Sequence, residues 1–336
     1  MKIDIFPHIL PPKYKEGLSK KLAPEVFKPY QLMVEPFPTL TDLDNRFRLM
    51  DKYEGLVQVL TLTLPFVEAV AKPQDAVELA RIGNDELAEL VFKYPDRFIA
   101  AVGSLPMNDM DAALNELDRT VNDLHFRGIQ LGTSINGKPL DELEFLPLFK
   151  KMEEYNLPIL LHPMRPNTVT DYPTRNASQY EIYSIFGWPY ETSAAMTHLV
   201  FGQVLQKFPS LKFITHHCGA MIPYFEQRLK NFHTHREMRG KGRYNYTRGL
   251  TRAPLAYFKM FYADTALNGC TAGLMCGYAF FGADRILFGT DMPYDCQDGN
   301  LSVGDTIISI ERMQIPDLDK KKVFEDNARE IMRLPL

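Results

Sequence analysis

The chain has 336 residues, of which 45% are hydrophobic and 24% are charged, and its formal net charge is -4. This composition is that of an ordinary globular protein with enough apolar material for a large core. The charge balance predicts neither nucleic acid nor an anionic membrane surface as a partner. No apolar stretch is long enough to span a bilayer, and the first residues lead directly into a strand, so we expect no membrane anchor and no secretory leader.

The four cysteines are widely spaced and form no CxxC pair; they are Cys218, Cys270, Cys276 and Cys296. Cysteines without paired spacing are typical of reduced thiols in an intracellular protein. We therefore expect a cytoplasmic protein without structural disulfides.

In chain order, short apolar strands alternate with amphipathic helices. The pattern predicts eight strands, at residues 2–6, 57–63, 98–104, 128–134, 158–162, 211–217, 260–267 and 286–290. Helices are predicted between them at residues 42–53, 75–94, 109–124, 144–155 and 192–208, and a final helix at residues 318–332 is expected to pack on the outside. Strands that are apolar almost throughout favour a closed parallel sheet. We therefore predict an α/β fold, a single (β/α)8 TIM barrel domain over residues 1–336.

Two segments do not fit this alternation. Residues 163–189 follow the fifth strand as a long insertion rich in Asn, Thr, Tyr and Pro, which is typical of a substrate loop or lid. Residues 233–252 are dense in cations. They form either a solvated helix end or a loop that binds an anion or a second subunit.

Acidic and imidazole side chains recur where the predicted strands end. They are Asp4, His8, His162, His217, Asp264 and Asp291. Each alone is more often a structural residue, but together at one rim of a barrel they favour a divalent metal site. His216 and His217 are adjacent, and neighbouring side chains of a strand alternate faces. We expect His217 to point into the barrel and His216 to point towards the surrounding helices or loop.

Several longer motifs resemble one known family. They are MKIDIFPHILPPKY, RFRLMD, NGKPLDELEFLPLF, LPILLHP, FGWPYETSAAM, FITHHCGAMIPYFEQR and ILFGTDMPY. Together they resemble the amidohydrolase-2 family, which contains aminocarboxymuconate-semialdehyde decarboxylase and the γ-resorcylate and related hydroxybenzoate decarboxylases. The likeness extends over nearly the whole chain.

The resemblance implies a set of metal and catalytic residues. His8, His162 and Asp291 correspond to metal ligands of the family, with zinc as the first choice of divalent ion and manganese as the alternative. His217 corresponds to a catalytic histidine that contacts the metal-bound water or the substrate. The proton donor implied by the resemblance is either Asp291, as a second catalytic residue, or a water activated by the metal and His217.

The resemblance also implies residues that bind a small-molecule carboxylate substrate. Arg46, preferred over Arg48, is an expected carboxylate clamp. Arg228 corresponds to an arginine that reaches into a neighbouring subunit's site, which implies a homodimer or a higher homo-oligomer. Trp188 either contacts a planar substrate or belongs to the core.

One position departs from the family pattern. Phe6 stands where the family has a His or Glu that binds the metal, and a phenyl ring has no lone pair to donate. Three protein ligands still suffice for a catalytic metal site. Asp4 lies two residues deeper on the strand, where packing in a layer of the barrel or a supporting hydrogen bond is the expected role.

Three functions are compatible with these residues. The first is metal-dependent, non-oxidative decarboxylation of a small aromatic or conjugated unsaturated carboxylic acid by a carbon-carbon lyase. The second is metal-dependent hydrolysis or hydration of a lactone, an amide or a conjugated acid, because the fold and the metal ligands would be shared. The third is a metal-free binding protein or pseudoenzyme, because Phe6 replaces a ligand.

Overall fold

The computed structural model of the protein describes residues 1–231 and 249–335. The strands in these two ranges are short and mostly buried. They are β1 (Lys2–Asp4), β2 (His8–Ile9), β3 (Leu56–Leu62), β4 (Phe98–Ala101), β5 (Ile129–Gly132), β6 (Ser134–Ile135), β7 (Lys138–Pro139), β8 (Pro158–His162), β9 (Lys212–Thr215) and β10 (Tyr262–Ala263).

Eight of these strands form two parallel four-stranded sheets. In the first sheet β3 pairs with β1, β2 and β4, and in the second the order is β10-β9-β8-β5. A bridge between Gly103 and Ile129 joins the sheets at one edge. At the other edge Ile286 pairs with Ala263, and the N–H of Ile5 donates to the carbonyl of Phe288. The α/β prediction is therefore confirmed, and residues 286–288 lie between β10 and β1.

The last two predicted strands are much shorter than expected. Only Tyr262–Ala263 of residues 260–267 is a strand, and residues 286–290 form one bridge at Ile286. These strands are short because a side chain takes the place of backbone pairing between them. The hydroxyl of Thr265 donates to the carbonyl of Gly289 and accepts from its N–H, both at 3.0 Å.

The predicted helices are present, with altered boundaries. Those that precede β8 are Leu43–Met50, Pro73–Lys93, Met110–Asn122 and Leu146–Tyr155. The helix predicted at 192–208 divides into Trp188–Phe201 and Val204–Lys207, because Gly202 and Gln203, with a positive φ of 65°, interrupt it. The other α-helices with both ends in the described ranges are Pro12–Lys21, Pro24–Val34, Val67–Val70, Pro254–Phe258, Thr271–Phe281, Asn300–Glu311, Asp317–Lys321 and Asn327–Ile331.

Two apolar clusters lie on opposite sides of the strands. The inner cluster includes Ile5, Val59, Leu160 and Ile214, which are all fully buried, and the larger outer cluster fills the space between strands and helices. Residues Ala328, Ile331 and Met332 of the C-terminal segment join the inner cluster. The expectation that the final helix packs on the outside is therefore only partly correct, since Val323 belongs to the outer cluster but these three residues do not. The reason is that its apolar residues cover one end of the strands.

The two unusual segments differ in how much of them the structure describes. Residues 163–181 contain no strand or helix, and a π-helix at Tyr183–Gly187 then leads directly into Trp188–Phe201. The insertion is thus shorter than the predicted 163–189. Most of the cationic segment 233–252 lies outside the described residues. Within the described ranges, no helix combines the length and the apolar character that crossing a membrane requires.

Asp4 connects the first strand to residues 286–290. One carboxylate oxygen accepts from the N–H groups of Phe6 and Thr290, and the other accepts from the Thr290 hydroxyl at 2.6 Å. Burial raises the pKa of Asp4 to about 6 against the opposing effect of these hydrogen bonds. The expected supporting role of Asp4 is therefore confirmed.

Asp4→Ala should destabilise the protein, because it leaves two buried N–H groups without an acceptor. Each such group costs about 1–3 kcal/mol, so we expect a loss of about 2–6 kcal/mol in the free energy of unfolding, measured by urea titration. Asp4→Asn should cost less, since its amide oxygen still accepts from both N–H groups. The exposed Asp96 is the control, and Asp96→Ala should change stability by less than about 0.5 kcal/mol. Equal effects of Asp4→Ala and Asp96→Ala would contradict this role.

Candidate metal centre and active site

Four side chains converge at the carboxyl ends of the parallel strands. His8 lies on β2, His162 ends β8, His216 follows β9 directly, and Asp291 follows residues 286–290. One potential ligand atom from each of them lies within 4.8 Å of the others. The histidine side chains are at most 2% exposed, whereas that of Asp291 is 23% exposed. The cluster therefore opens to solvent on the Asp291 side.

Strand register explains why His162 and His216 meet. In the pairing of β8 with β9, Leu160 lies beside Ile214 and Leu161 lies beside Thr215, so His162 and His216 come next at the same level. Leu160 and Ile214 both belong to the inner cluster. Because side chains alternate, the residues two positions later also point inward.

The expectation that His217 points inward and His216 outward is therefore wrong. His216 is fully buried in the cluster, whereas the backbone leaves the strand at His217, whose φ is +55°. His217 opens a tight 3-10 turn at His217–Gly219. Its side chain is 15% exposed, and its Nε2 lies 3.8 Å from Oδ2 of Asp291.

Hydrogen bonds donated by Nδ1–H orient the three buried imidazoles. The Nδ1–H of His162 donates to the carbonyl of Pro163 at 2.8 Å, and that of His8 faces the carbonyl of Leu62 at 3.4 Å. The Nδ1–H of His216 donates to the buried carboxylate of Asp264. Each contact fixes a tautomer that leaves the lone pair of Nε2 free for a metal ion.

These residues fit a divalent metal ion. Three imidazole nitrogens and one carboxylate oxygen are a common ligand set for zinc and related ions. Nε2 of His216 is buried without a hydrogen-bond partner, and the Oδ1 of Asp291 lies 3.3 Å from it and 3.1 Å from Nε2 of His8. The potential ligands are therefore the expected His8, His162 and Asp291 and, in addition, His216.

Phe6 lies beside the imidazoles, at the position where the family has a metal ligand. Its ring is fully buried and stacks on His216, with ring centroids 4.3 Å apart and an interplanar angle of 28°. It also meets His8 edge to face at 5.6 Å. Phe6 thus packs against the imidazoles without coordinating, and His216 supplies a nitrogen that the first strand does not.

The charges in the cluster are strongly coupled. Burial alone would raise the pKa of Asp291, but His216, with contacts from His217 and His8, holds it well below its usual range. Burial lowers the pKa of His162 well below its usual value. Burial opposes protonation of His216 too, yet Asp264 and Asp291 raise its pKa to about 10. A bound divalent ion would therefore displace a proton from His216.

His217 and Trp188 border the open side of the cluster. The indole of Trp188 stacks beside His217 at 6.4 Å and meets His162 edge to face at 5.8 Å. Burial and the nearby His216 lower the pKa of His217, which favours the neutral imidazole. Its Nδ1 is buried without a hydrogen-bond partner.

The two arginines expected to bind a substrate carboxylate, Arg46 and Arg228, differ in their exposure to solvent. Arg46 is fully buried; it donates to the side chain of Gln58 at 2.8 Å and to the backbone carbonyls of His8 and Thr39. Because no part of it is exposed, the structure does not support a contact with a substrate carboxylate. Arg46 instead holds the backbone at His8. Arg228 is exposed and lines an open groove of about 630 Å³ beside Tyr190 and Phe225.

Sequence reasoning missed two residues at this site. Besides His216, Glu191 ties neighbouring strand ends together, because its Oε2 accepts from the N–H of Met164 at 2.9 Å and from the hydroxyl of Thr133 at 3.1 Å. For His216 a signal was present, since counting by two from the buried Ile214 reaches it. For Glu191, only its place in the FGWPYETS motif pointed to a role.

An α/β fold with imidazoles and a carboxylate at the strand ends defines a class of metal-dependent barrel enzymes. The family model described as amidohydrolase matches residues 37–334. The chain therefore belongs to the amidohydrolase family, in the amidohydrolase-2 branch that the sequence motifs indicated.

Several proteins similar to this chain are decarboxylases. The chain is 29% identical to the 2-amino-3-carboxymuconate-6-semialdehyde decarboxylase of Dictyostelium discoideum, covering 99% of this chain and 92% of that protein. It is 31% identical to the γ-resorcylate decarboxylase of a Polaromonas species, covering 87% of each chain. A crystal structure of 2,6-dihydroxybenzoate decarboxylase in complex with 2,6-dihydroxybenzoate superposes with a TM-score of 0.78, at 29% identity and 99% coverage of both chains.

One similar structure contains a metal ion. It is the dihydroxybenzoic acid decarboxylase of Polaromonas with bound manganese and the inhibitor 2-nitroresorcinol, with a TM-score of 0.77, 28% identity, and coverage of 99% of this chain and 96% of that one. The present chain carries a cluster of His and Asp side chains that is suitable for such an ion.

Replacement of the two adjacent histidines should separate metal binding from catalysis. His216→Ala removes a metal ligand, so we expect its Mn²⁺ affinity to fall at least tenfold, measured by calorimetry on the metal-free protein. His217→Ala should leave that affinity within about threefold, because His217 lies outside the ligand cluster. The opposite pattern would show that His217 is the ligand.

Proposed function

We propose that the protein is a metal-dependent, non-oxidative decarboxylase of a small aromatic or conjugated unsaturated carboxylic acid. The observation that carries this proposal is the cluster of His8, His162, His216 and Asp291, with Trp188 and His217 beside its open side. The activities of the similar proteins support it. No redox cofactor is required, because the reaction exchanges CO2 for a proton.

The cofactor is one divalent metal ion held by His8, His162, His216 and Asp291. When bound, such an ion draws electrons from the oxygens of the substrate and so favours loss of the carboxylate. Zinc and manganese both suit a site with imidazole and carboxylate ligands, and the manganese in the Polaromonas enzyme supports the second choice.

Asp291 and His217 deliver the proton. Oδ1 of Asp291 faces His8 and His216, whereas its Oδ2 faces Nε2 of His217. A proton that enters on the partly exposed His217 can therefore pass to Oδ2. The pKa of Asp291 is held low, so the carboxylate is ionised until it takes the proton from His217 and passes it to the carbon. The new C–H bond forms at the carbon from which CO2 departs, so atoms and charge balance.

Trp188 positions the substrate. Its ring is partly buried and is fixed by a hydrogen bond from its Nε1 to the carbonyl of Arg165 at 3.0 Å. A flat aromatic acid can pack along such a ring while its carboxylate points to the cluster.

Turnover of hydroxybenzoates tests this function. The metal-loaded protein should release CO2 from 2,6-dihydroxybenzoate or a related hydroxybenzoate. Asp291→Asn and His217→Gln should lower the rate by about 100-fold or more, because each removes a step of proton transfer. His125→Gln is the control, since His125 is exposed and precedes β5, at the opposite end of that strand from the cluster.

The other outcomes are distinct. Absence of CO2 from a broad panel of aromatic and muconate-like acids would contradict decarboxylation. Incorporation of oxygen from labelled water into the product of a lactone or amide would show a hydrolase instead. Ligand binding that is unchanged by Asp291→Asn, in a protein that takes up no metal, would show a metal-free binding protein.

The active unit is a homodimer or a larger homo-oligomer. Four exposed apolar side chains support this proposal, because they line the groove of Arg228 or are near in sequence to residues that line it. They are Ile185, Phe186, Tyr190 and Tyr224, which are 57–78% exposed. Exposed apolar clusters of this kind mark contact surfaces. In this arrangement Arg228 of one subunit reaches the substrate site of its neighbour, where it pairs with an anionic group.

Phe186→Asp should shift the oligomer towards monomer, because it places a charge in the contact surface. The measurement is the molar mass by light scattering after size-exclusion chromatography. Phe92→Asp is the matched control, since Phe92 is 90% exposed on the distant helix Pro73–Lys93 and should leave the mass unchanged. A fully active wild-type monomer would refute the oligomer.

The whole chain forms one closed (β/α)8 barrel domain in the cytoplasm. The position of residues 286–288 between β10 and β1 supports closure. The four unpaired cysteines support a reducing compartment.

A further inference from the structure

An arginine that sequence analysis did not single out lies at the border of the site. Arg165 follows the ligand His162 by three residues, at the start of the segment 163–181. It is partly exposed, and its carbonyl accepts the hydrogen bond from the indole of Trp188. The backbone of Arg165 is therefore tied to the ring that borders both His162 and His217.

The aliphatic part of the Arg165 side chain crosses Gly187 at very short range. A Cβ atom at Gly187 would lie 2.4 Å from Cδ of Arg165 and 2.9 Å from its Nε. Only glycine leaves room for this path, because a Cβ at that distance would displace the arginine. Gly187 immediately precedes Trp188, so the Arg165 side chain runs along the backbone at the start of the helix that carries the indole.

This guanidinium has no protein partner in the described parts of the chain. Neither a hydrogen bond nor an ion pair from its side chain occurs within residues 1–231 and 249–335, whereas Arg46 and Arg119 are both paired there. Glu191 is the acidic neighbour along this rim, but its Oε2 accepts from Met164 and Thr133. A cation held in place without a partner is available to an anionic ligand.

We propose that Arg165 determines specificity by binding a second anionic substituent of the substrate, preferably a carboxylate. This inference rests on the proposed function. A substrate whose reacting carboxylate points to the His8, His162, His216 and Asp291 cluster and whose ring lies along Trp188 extends its far end towards Arg165. The planar guanidinium fork matches a carboxylate with two parallel hydrogen bonds. The structure thus favours aromatic dicarboxylates over monocarboxylates.

The test compares two acids that differ only in the second carboxylate. We would measure kcat/KM for 2,6-dihydroxybenzoate and for 2,6-dihydroxyterephthalate with the wild type, Arg165→Met and Arg165→Lys. Arg165→Met should lower kcat/KM for the diacid by about ten- to 100-fold and leave that for the monoacid within about threefold. Arg165→Lys should retain part of the preference, because it keeps the charge but loses the fork. Arg175→Met, at an exposed arginine of the same segment, should change neither value.

A binding measurement separates this inference from the proposed function. The Mn²⁺-loaded protein is titrated with benzoate and terephthalate, and the ratio of the two dissociation constants is compared between variants. Arg165→Met should weaken the preference for terephthalate, since only Arg228 of the neighbouring subunit could then pair with the second carboxylate, and Gly187→Ala should weaken it by displacing the arginine. If the preference depends on Arg165 but no acid loses CO2, the proposed function fails and this inference stands. An unchanged ratio in Arg165→Met, or equal losses for both ligands, would overturn it.

Discussion

The hydrogen bond from Nδ1 of His216 to the carboxylate of Asp264 is the contact on which the site depends. Both side chains are fully buried, and the other oxygen of Asp264 accepts from the N–H groups of Cys218 and Ala266 at 3.1 Å. Asp264 therefore cannot turn away without leaving buried donors unpaired. As a result, Nε2 of His216 is held towards Asp291, and the same carboxylate fixes the start of the turn that carries His217.

This constraint explains how the site tolerates Phe6. The first strand contributes one imidazole, from His8, and its other position is a phenyl ring that stacks on His216. The stacking adds apolar contact on one face of His216, while Asp264 fixes the rotation of its ring. A ligand lost from one strand is thus replaced by a side chain from another. The metal-free alternative loses its main argument, because three imidazoles and a carboxylate still converge.

Sequence patterns predicted the fold class, most helices and three of the four clustered residues. Apolar strands and polar strand ends carry that information locally, as at His162 in LPILLHP. The choice between His216 and His217 failed because the strand ends at Thr215, and the positive φ of His217 then breaks the alternation. Burial of Arg46 and the path of Arg165 across Gly187 depend on contacts between distant segments. No local pattern specifies such contacts.

The most direct test of this account is the identity of the protein ligands of a bound Mn²⁺ ion. Anomalous diffraction from crystals of the manganese-loaded protein would locate the ion and the atoms around it. The account predicts an ion bound by Nε2 of His8, His162 and His216 and by a carboxylate oxygen of Asp291, with the phenyl ring of Phe6 packed beside it. An ion bound by His217 in place of His216, or no ion among these four residues, would contradict it.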